Sequence, residues 1–202
     1  RIIFNGNGYD EAWIEEAQKR GLLNLRSTPE CLPYLIRKEN IALFEKYKIY
    51  TRSELHSRYE ILLDNYSKVM NIEAETMLDM AQKEILPAVE SYERELTETA
   101  LEYQQQYREV MIDEYQDSNY VQETLLTAVS GVKRVYQKMD TLEAALVNAR
   151  EQKDALALAN YYHDVVFAAM QDMRVDADQL EATTAKKYWP YPTYSDLLFG
   201  VQ

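Results

Sequence analysis

Residues 121–149 read VQETLLTAVSGVKRVYQKMDTLEAALVNA, and the spacing of their apolar side chains decides the fold. Val121, Leu125, Ala128, Val132, Val135, Met139, Leu142, Leu146 and Ala149 follow one another in alternating steps of four and three. That repeat lays a single apolar stripe along a helix, and about four heptads of it make a helical hairpin or a coiled-coil-like arm. Such a stripe needs an apolar partner, and the chain upstream offers one.

Leu55, Tyr59, Leu62, Tyr66 and Val69 share one helical face, and the pattern resumes with Ala74, Met77, Ala81, Ile85, Ala88, Tyr92 and Leu96. Thr51 and Glu54 have the spacing of a capping box that opens this helix. Pro87 falls inside the run, and because the pattern continues beyond it, a kink is predicted and not an end. The segment 113–119 is poor in helix formers, which places a break there, with Asp117 or Ser118 capping a helix that begins near Tyr120. The short connection favours antiparallel pairing of 74–107 with 121–149. A last helix is predicted over about 153–187, with Leu158, Tyr162, Val165, Ala169 and Leu180 on its inner face.

The first fifty residues read as smaller and more irregular. Asn5, Gly6, Asn7 and Gly8 form a turn, since Asn and Gly tolerate positive φ. Asp10 caps a short helix running to Arg20, with Trp13 and Ala17 inward and Gly21 ending it. Thr28 caps another, with Pro29 in its first turn. Leu32, Leu35, Ile36, Ile41, Leu43 and Phe44 suggest one or two short packed helices. His56 and His163 read as partly buried structural histidines, since no nucleophile is placed to form a triad with them. The aromatic and proline-rich stretch from Tyr188 to Phe199 cannot continue a helix and should dock on its own domain or on a neighbouring subunit. The fold class is mainly α, long antiparallel helices in a hairpin or bundle. Its divisions fall at 1–50, 51–187 and 188–202.

The 202 residues carry a formal charge of −12, which argues against a nucleic-acid partner and an anionic membrane surface. One cysteine, Cys31, and two histidines are too few for a disulfide or a Cys/His zinc site. No stretch approaches the length of a membrane helix and no signal-peptide pattern occurs, so a cytoplasmic location is expected. The chain opens at Arg1 in an apolar run without a methionine, which reads as a piece of a larger protein.

Two motifs invite chemistry. The turn Asn5 to Gly8 follows an apolar run as a phosphate loop would, but it lacks the lysine of a P-loop and the third glycine of a dinucleotide fingerprint. The run VMIDEYQDS at 110–118, extending into NYVQE, resembles the acidic motif of UvrD-like helicases. In that family the residues matching Asp113 and Glu114 hold Mg²⁺ and polarise water. The partner lysine loop occurs nowhere in this chain, so Asp113 and Glu114 are read as a solvated acidic turn.

Three strings carry a broader resemblance: RIIFNGNGY at 1–9, ELHSRYEILL at 54–63 and YWPYPTYSDLLF at 188–199. With ILPAV at 85–89 and DVVF at 164–167, they resemble, in order, the C-terminal portion of type III glutamine synthetase. The likeness covers about 1–100 and 135–200, and residues 102–131 depart from it. It implies an α+β enzyme that joins ammonia to glutamate at the expense of ATP through a γ-glutamyl phosphate, with divalent metal ions, in stacked hexameric rings. It also makes 1–50 the end of the catalytic domain. The family's metal and nucleotide ligands lie upstream of the matching segment. No catalytic or metal-binding residue is therefore carried over, and Asn5, Gly6, Asn7 and Gly8 are the only weak cofactor-binding candidates. ATP and Mg are implied for the full-length enzyme alone, and this chain by itself should be inactive. Its partners would be the rest of the same polypeptide and other copies of the subunit. The alternative is a non-catalytic helical interaction module, or a hybrid carrying a helicase-derived acidic motif.

Overall fold

The computed structural model describes residues 6–106, 115–192 and 194–199. No strand occurs among them. The chain divides into two compact units, Arg1–Tyr66 and Ser67–Gln202.

In the first unit α1 (Glu11–Lys19) starts after Asp10, whose side chain makes no capping bond, and α2 (Thr28–Leu35) packs on α3 (Lys38–Lys46). The cap of α2 is Ser27 and not Thr28: its hydroxyl accepts from the Glu30 N–H while the Glu30 carboxylate reaches back to the Ser27 N–H. The box spacing selects the serine, because Glu30 stands three residues after Ser27 and only two after Thr28. Ala17, Leu32, Ile41, Leu55 and Leu63 are buried here.

α1 and α3 end alike. Gly21, at φ 71°, donates its N–H to Gln18 and Leu22 donates to Ala17; Lys48, at φ 52°, donates to Glu45 and Ile49 to Phe44. Both endings are Schellman turns with a left-handed residue just past the helix. Thr51 and Glu54 form the expected capping box and open α4 (Arg52–Met80).

In the second unit the helix begun by α4 passes through a π-helical turn, Ala81–Ile85, into α5 (Leu86–Gln106). Pro87 does not end the run. It has no N–H to give and its ring crowds the carbonyl four residues back, and the widened turn, in which the Leu86 N–H reaches Ala81 O, is the accommodation. The buried line on α4 falls on Leu63, Met70 and Ala74, while Leu62 and Val69 are exposed. A helix with 3.6 residues per turn drifts out of step with a strict four–three alternation.

α6 runs from Tyr115 to Ala149. It therefore starts before the expected cap at Asp117 or Ser118, and Tyr115–Asn119 are helical. The local preference of Ser, Asp and Asn for other backbone shapes amounts to only tenths of a kcal/mol each, less than the long stripe behind them gains. Residues 107–114, including Asp113 and Glu114, lie outside the described residues. Ala128, Val135, Met139, Leu142, Leu146 and Ala149 are buried as the heptads require.

Asp154 caps α7 (Ala155–Tyr161) through the Ala157 N–H, and a second π turn, Tyr162–Val166, leads into α8 (Phe167–Thr183). This turn inserts one residue into the repeat, so Val166 is buried and Val165 is not. α6 packs chiefly against α8 and also against α5. The contacts of α6 with α8 run in opposite directions along the two helices, Gly131 meeting Leu180 and Lys138 meeting Asp172, so the pair is antiparallel. At Gly131 a Cβ would come within 2.6 Å of Leu180 Cδ2, which explains a glycine inside the longest helix described. The Tyr162 hydroxyl donates to Asn71 Oδ1 (2.8 Å), tying this layer to the second half of α4. A short α9 (Tyr194–Phe199) closes the described chain.

Candidate functional site

Among the described residues, a dense polar cluster lies where α6 crosses α8. Asp176 falls on the inner face of α8, three residues after Met173 and four before Leu180, and is only 3% exposed. Arg134 and Lys138, one turn apart on α6, meet it: Arg134 Nε lies 2.7 Å from one carboxylate oxygen and Lys138 Nζ 2.8 Å from the other. Lys138 also pairs with Asp172 at 2.9 Å, and Arg134 donates to Gln179 Oε1 at 3.1 Å. Burial by itself would push the Asp176 carboxyl up, but the bonds from Lys138 and Arg134 outweigh it and hold the group below the usual carboxylate range. Lys138 is raised in return by Asp176 and Asp172. An acid so paired with two cations neither takes nor gives a proton near neutrality. It sets the register of two helices.

Beside this cluster an open groove of about 820 Å³ runs between α6 and the second π turn with α8. Asp140, Ala144 and Asn148 line one side, Tyr161, Asp164 and Ala168 the other. It pairs no nucleophile with a base. His163, beside it in sequence, lies 2.8 Å from Asp164 and stacks on Phe167. His56 is exposed, contrary to the expected partial burial, because the buried face of α4 passes through Leu55 and Leu63 instead.

The tail docks on its own unit. Tyr188 donates its hydroxyl to the Glu95 carboxylate, Lys187 Nζ lies 2.7 Å from the same group, and the Tyr188 ring packs 5.7 Å from that of Tyr92. Bonds from Lys187 and then Tyr188 hold the Glu95 carboxyl low. Burial, with the Glu84 carboxylate nearby, pushes the Tyr191 hydroxyl up to about 12.

Gly6, Asn7 and Gly8 occupy an exposed turn, held by the Asn7 side chain accepting from the Tyr9 N–H at 3.1 Å; Gly8 is not left-handed, and Asn5, Asp113 and Glu114 lie outside the described residues. Among the described residues no three His, Cys, Asp or Glu side chains converge on a point that would hold a metal ion. Sequence reasoning misses the Arg134–Lys138–Asp176 cluster, although a charge on an apolar stripe is its signal. Among the described residues no helix is long and apolar enough to cross a membrane.

The family described as glutamine synthetase C-terminal domain matches residues 1–104. The chain belongs to that family. A glutamine synthetase of Butyrivibrio fibrisolvens is 37% identical over 203 residues, covering 100% of this chain and 28% of that protein. A type-3 glutamine synthetase of Dictyostelium discoideum is 32% identical over 202 residues, 98% of this chain and 27% of that protein. The chain thus spans little more than a quarter of these relatives. The family match ends at residue 104, while the alignments with these two relatives cover 100% and 98% of the chain. A second, narrower similarity is to an ATP-dependent helicase/nuclease of Lachnoclostridium phytofermentans, 58% identical over 38 residues, 19% of this chain and 3% of that protein.

Proposed function

We propose that this chain is the C-terminal helical segment of a type III glutamine synthetase, supplying scaffold and subunit contacts while the rest of the enzyme ligates ammonia to glutamate with ATP and Mg. The observation that carries this reading is 37% identity to a glutamine synthetase along the whole chain. The family match over residues 1–104 supports it independently of any one relative. The segment works in the cytoplasm, alongside the remainder of its polypeptide and other subunits. The test is a chimera in which this chain replaces the matching segment of the Butyrivibrio enzyme. Glutamine formation and an assembled oligomer are expected, and loss of both in a soluble, folded chimera would overturn the reading.

The helicase-like stretch favours one alternative, a hybrid carrying a helicase-derived acidic motif with no enzymatic role. ATP hydrolysis by the chain alone, abolished by Asp113→Ala or Glu114→Ala, would show instead that the motif handles ATP; the expected result is none above a buffer blank.

A further inference from the structure

Among its described residues, the first unit exposes more large apolar side chains than it buries. Against its few buried residues, Leu22, Leu23, Leu43, Tyr47, Ile49, Ile61 and Leu62 all stand at least 45% exposed. Their placement is systematic. Leu43 on α3 and Tyr47 at its C-cap lie one turn apart, on the side away from buried Ile41. Each Schellman turn then delivers an apolar residue to solvent, Leu22 after α1 and Ile49 after α3. Such a residue usually folds back onto its own helix, and here both stay outside. Lys48 even accepts a left-handed backbone to place Ile49 there.

We propose that Leu43, Tyr47 and Ile49 at the end of α3, and separately Leu22 and Leu23 after α1, are docking points covered by the remainder of a glutamine synthetase polypeptide. This rests on the function proposed above. The occupant is argued from length: 72% of the Butyrivibrio relative lies outside the span this chain matches, while the family match takes in the whole first unit. A unit of this size buries too small a fraction of its surface to spare so many apolar side chains without a cover.

Amide hydrogen exchange tests it, comparing peptides over 20–25 and 42–50 in the isolated chain and in the Butyrivibrio chimera. The expected result is fast, concentration-independent exchange in the isolated chain and at least about tenfold slowing in the chimera. A chimera that forms glutamine without slowing overturns the surface and leaves the function standing. Slowing in a folded chimera that forms no glutamine does the reverse. Slowing that appears in the isolated chain as its concentration rises assigns the surface to a second copy and overturns the proposal. Should the chimera not fold, the isolated triple variant Leu43→Ser, Tyr47→Ser, Ile49→Ser is compared with the parent for binding of the apolar dye ANS. A drop of about twofold at unchanged helical circular dichroism supports an open apolar surface, and unchanged binding overturns it.

Discussion

At φ 52° Lys48 holds a backbone shape that a side chain resists, while Gly21 holds the same shape at φ 71° without a Cβ. The left-handed region costs an ordinary residue about 1–2 kcal/mol. Lys48→Gly, with the Schellman bonds kept, is therefore expected to stabilise the chain by about 0.5–1 kcal/mol after the entropy of glycine in the unfolded chain is deducted. Chemical denaturation measures this, and Gly21→Ala should shift stability the opposite way. Asp176 offers a second test. Its folded carboxyl titrates below the ordinary value near 3.8, so its contribution is present above that pH and is lost as the pH falls through the lower folded value. Asp176→Asn should cost about 1–3 kcal/mol at pH 7, since it leaves Arg134 and Lys138 facing a neutral group. It should also flatten the acid limb of the stability profile below about pH 4. An unchanged acid limb would mean that other carboxylates set it.

Among the elements, α6 carries the bundle. Leu142 is fully buried on its stripe, against a helix pair of the same chain. Leu142→Ala should cost about 2–5 kcal/mol, the range for a buried leucine. The loss should not vary with protein concentration, and melting that tracked concentration would make the seam intersubunit. The partner differs in emphasis from the expectation. α5 does pack on α6, but α8 provides the larger contact, because Gly131 admits Leu180 closely and the Asp176 cluster clamps the crossing. Neither device shows in the heptad spacing, since each depends on which helix faces the stripe.

For the whole molecule, the charge of −12 opposes any polyanionic partner. Binding to a labelled DNA duplex at physiological salt is expected to be weaker than about 100 µM, at or below the usual range for non-specific binding. Fluorescence anisotropy would show it, and micromolar affinity would revive the helicase-like alternative.

What the sequence determined by itself is the helical class, the start of α4 at the Thr51–Glu54 box, the end of α1 at Gly21 and the buried stripe of α6. Each follows from neighbours along the chain, within the reach of one or two helical turns. The family was legible too, through short strings in order. The tertiary structure decided the rest. Whether Leu62 or Leu63, and Val165 or Val166, is buried depends on helical twist that drifts from a strict four–three spacing and on one residue inserted at a π turn. Asp176 acquired its partners through packing, because Arg134 and Lys138 stand about forty residues earlier and only the antiparallel crossing of α6 and α8 brings them to its carboxylate.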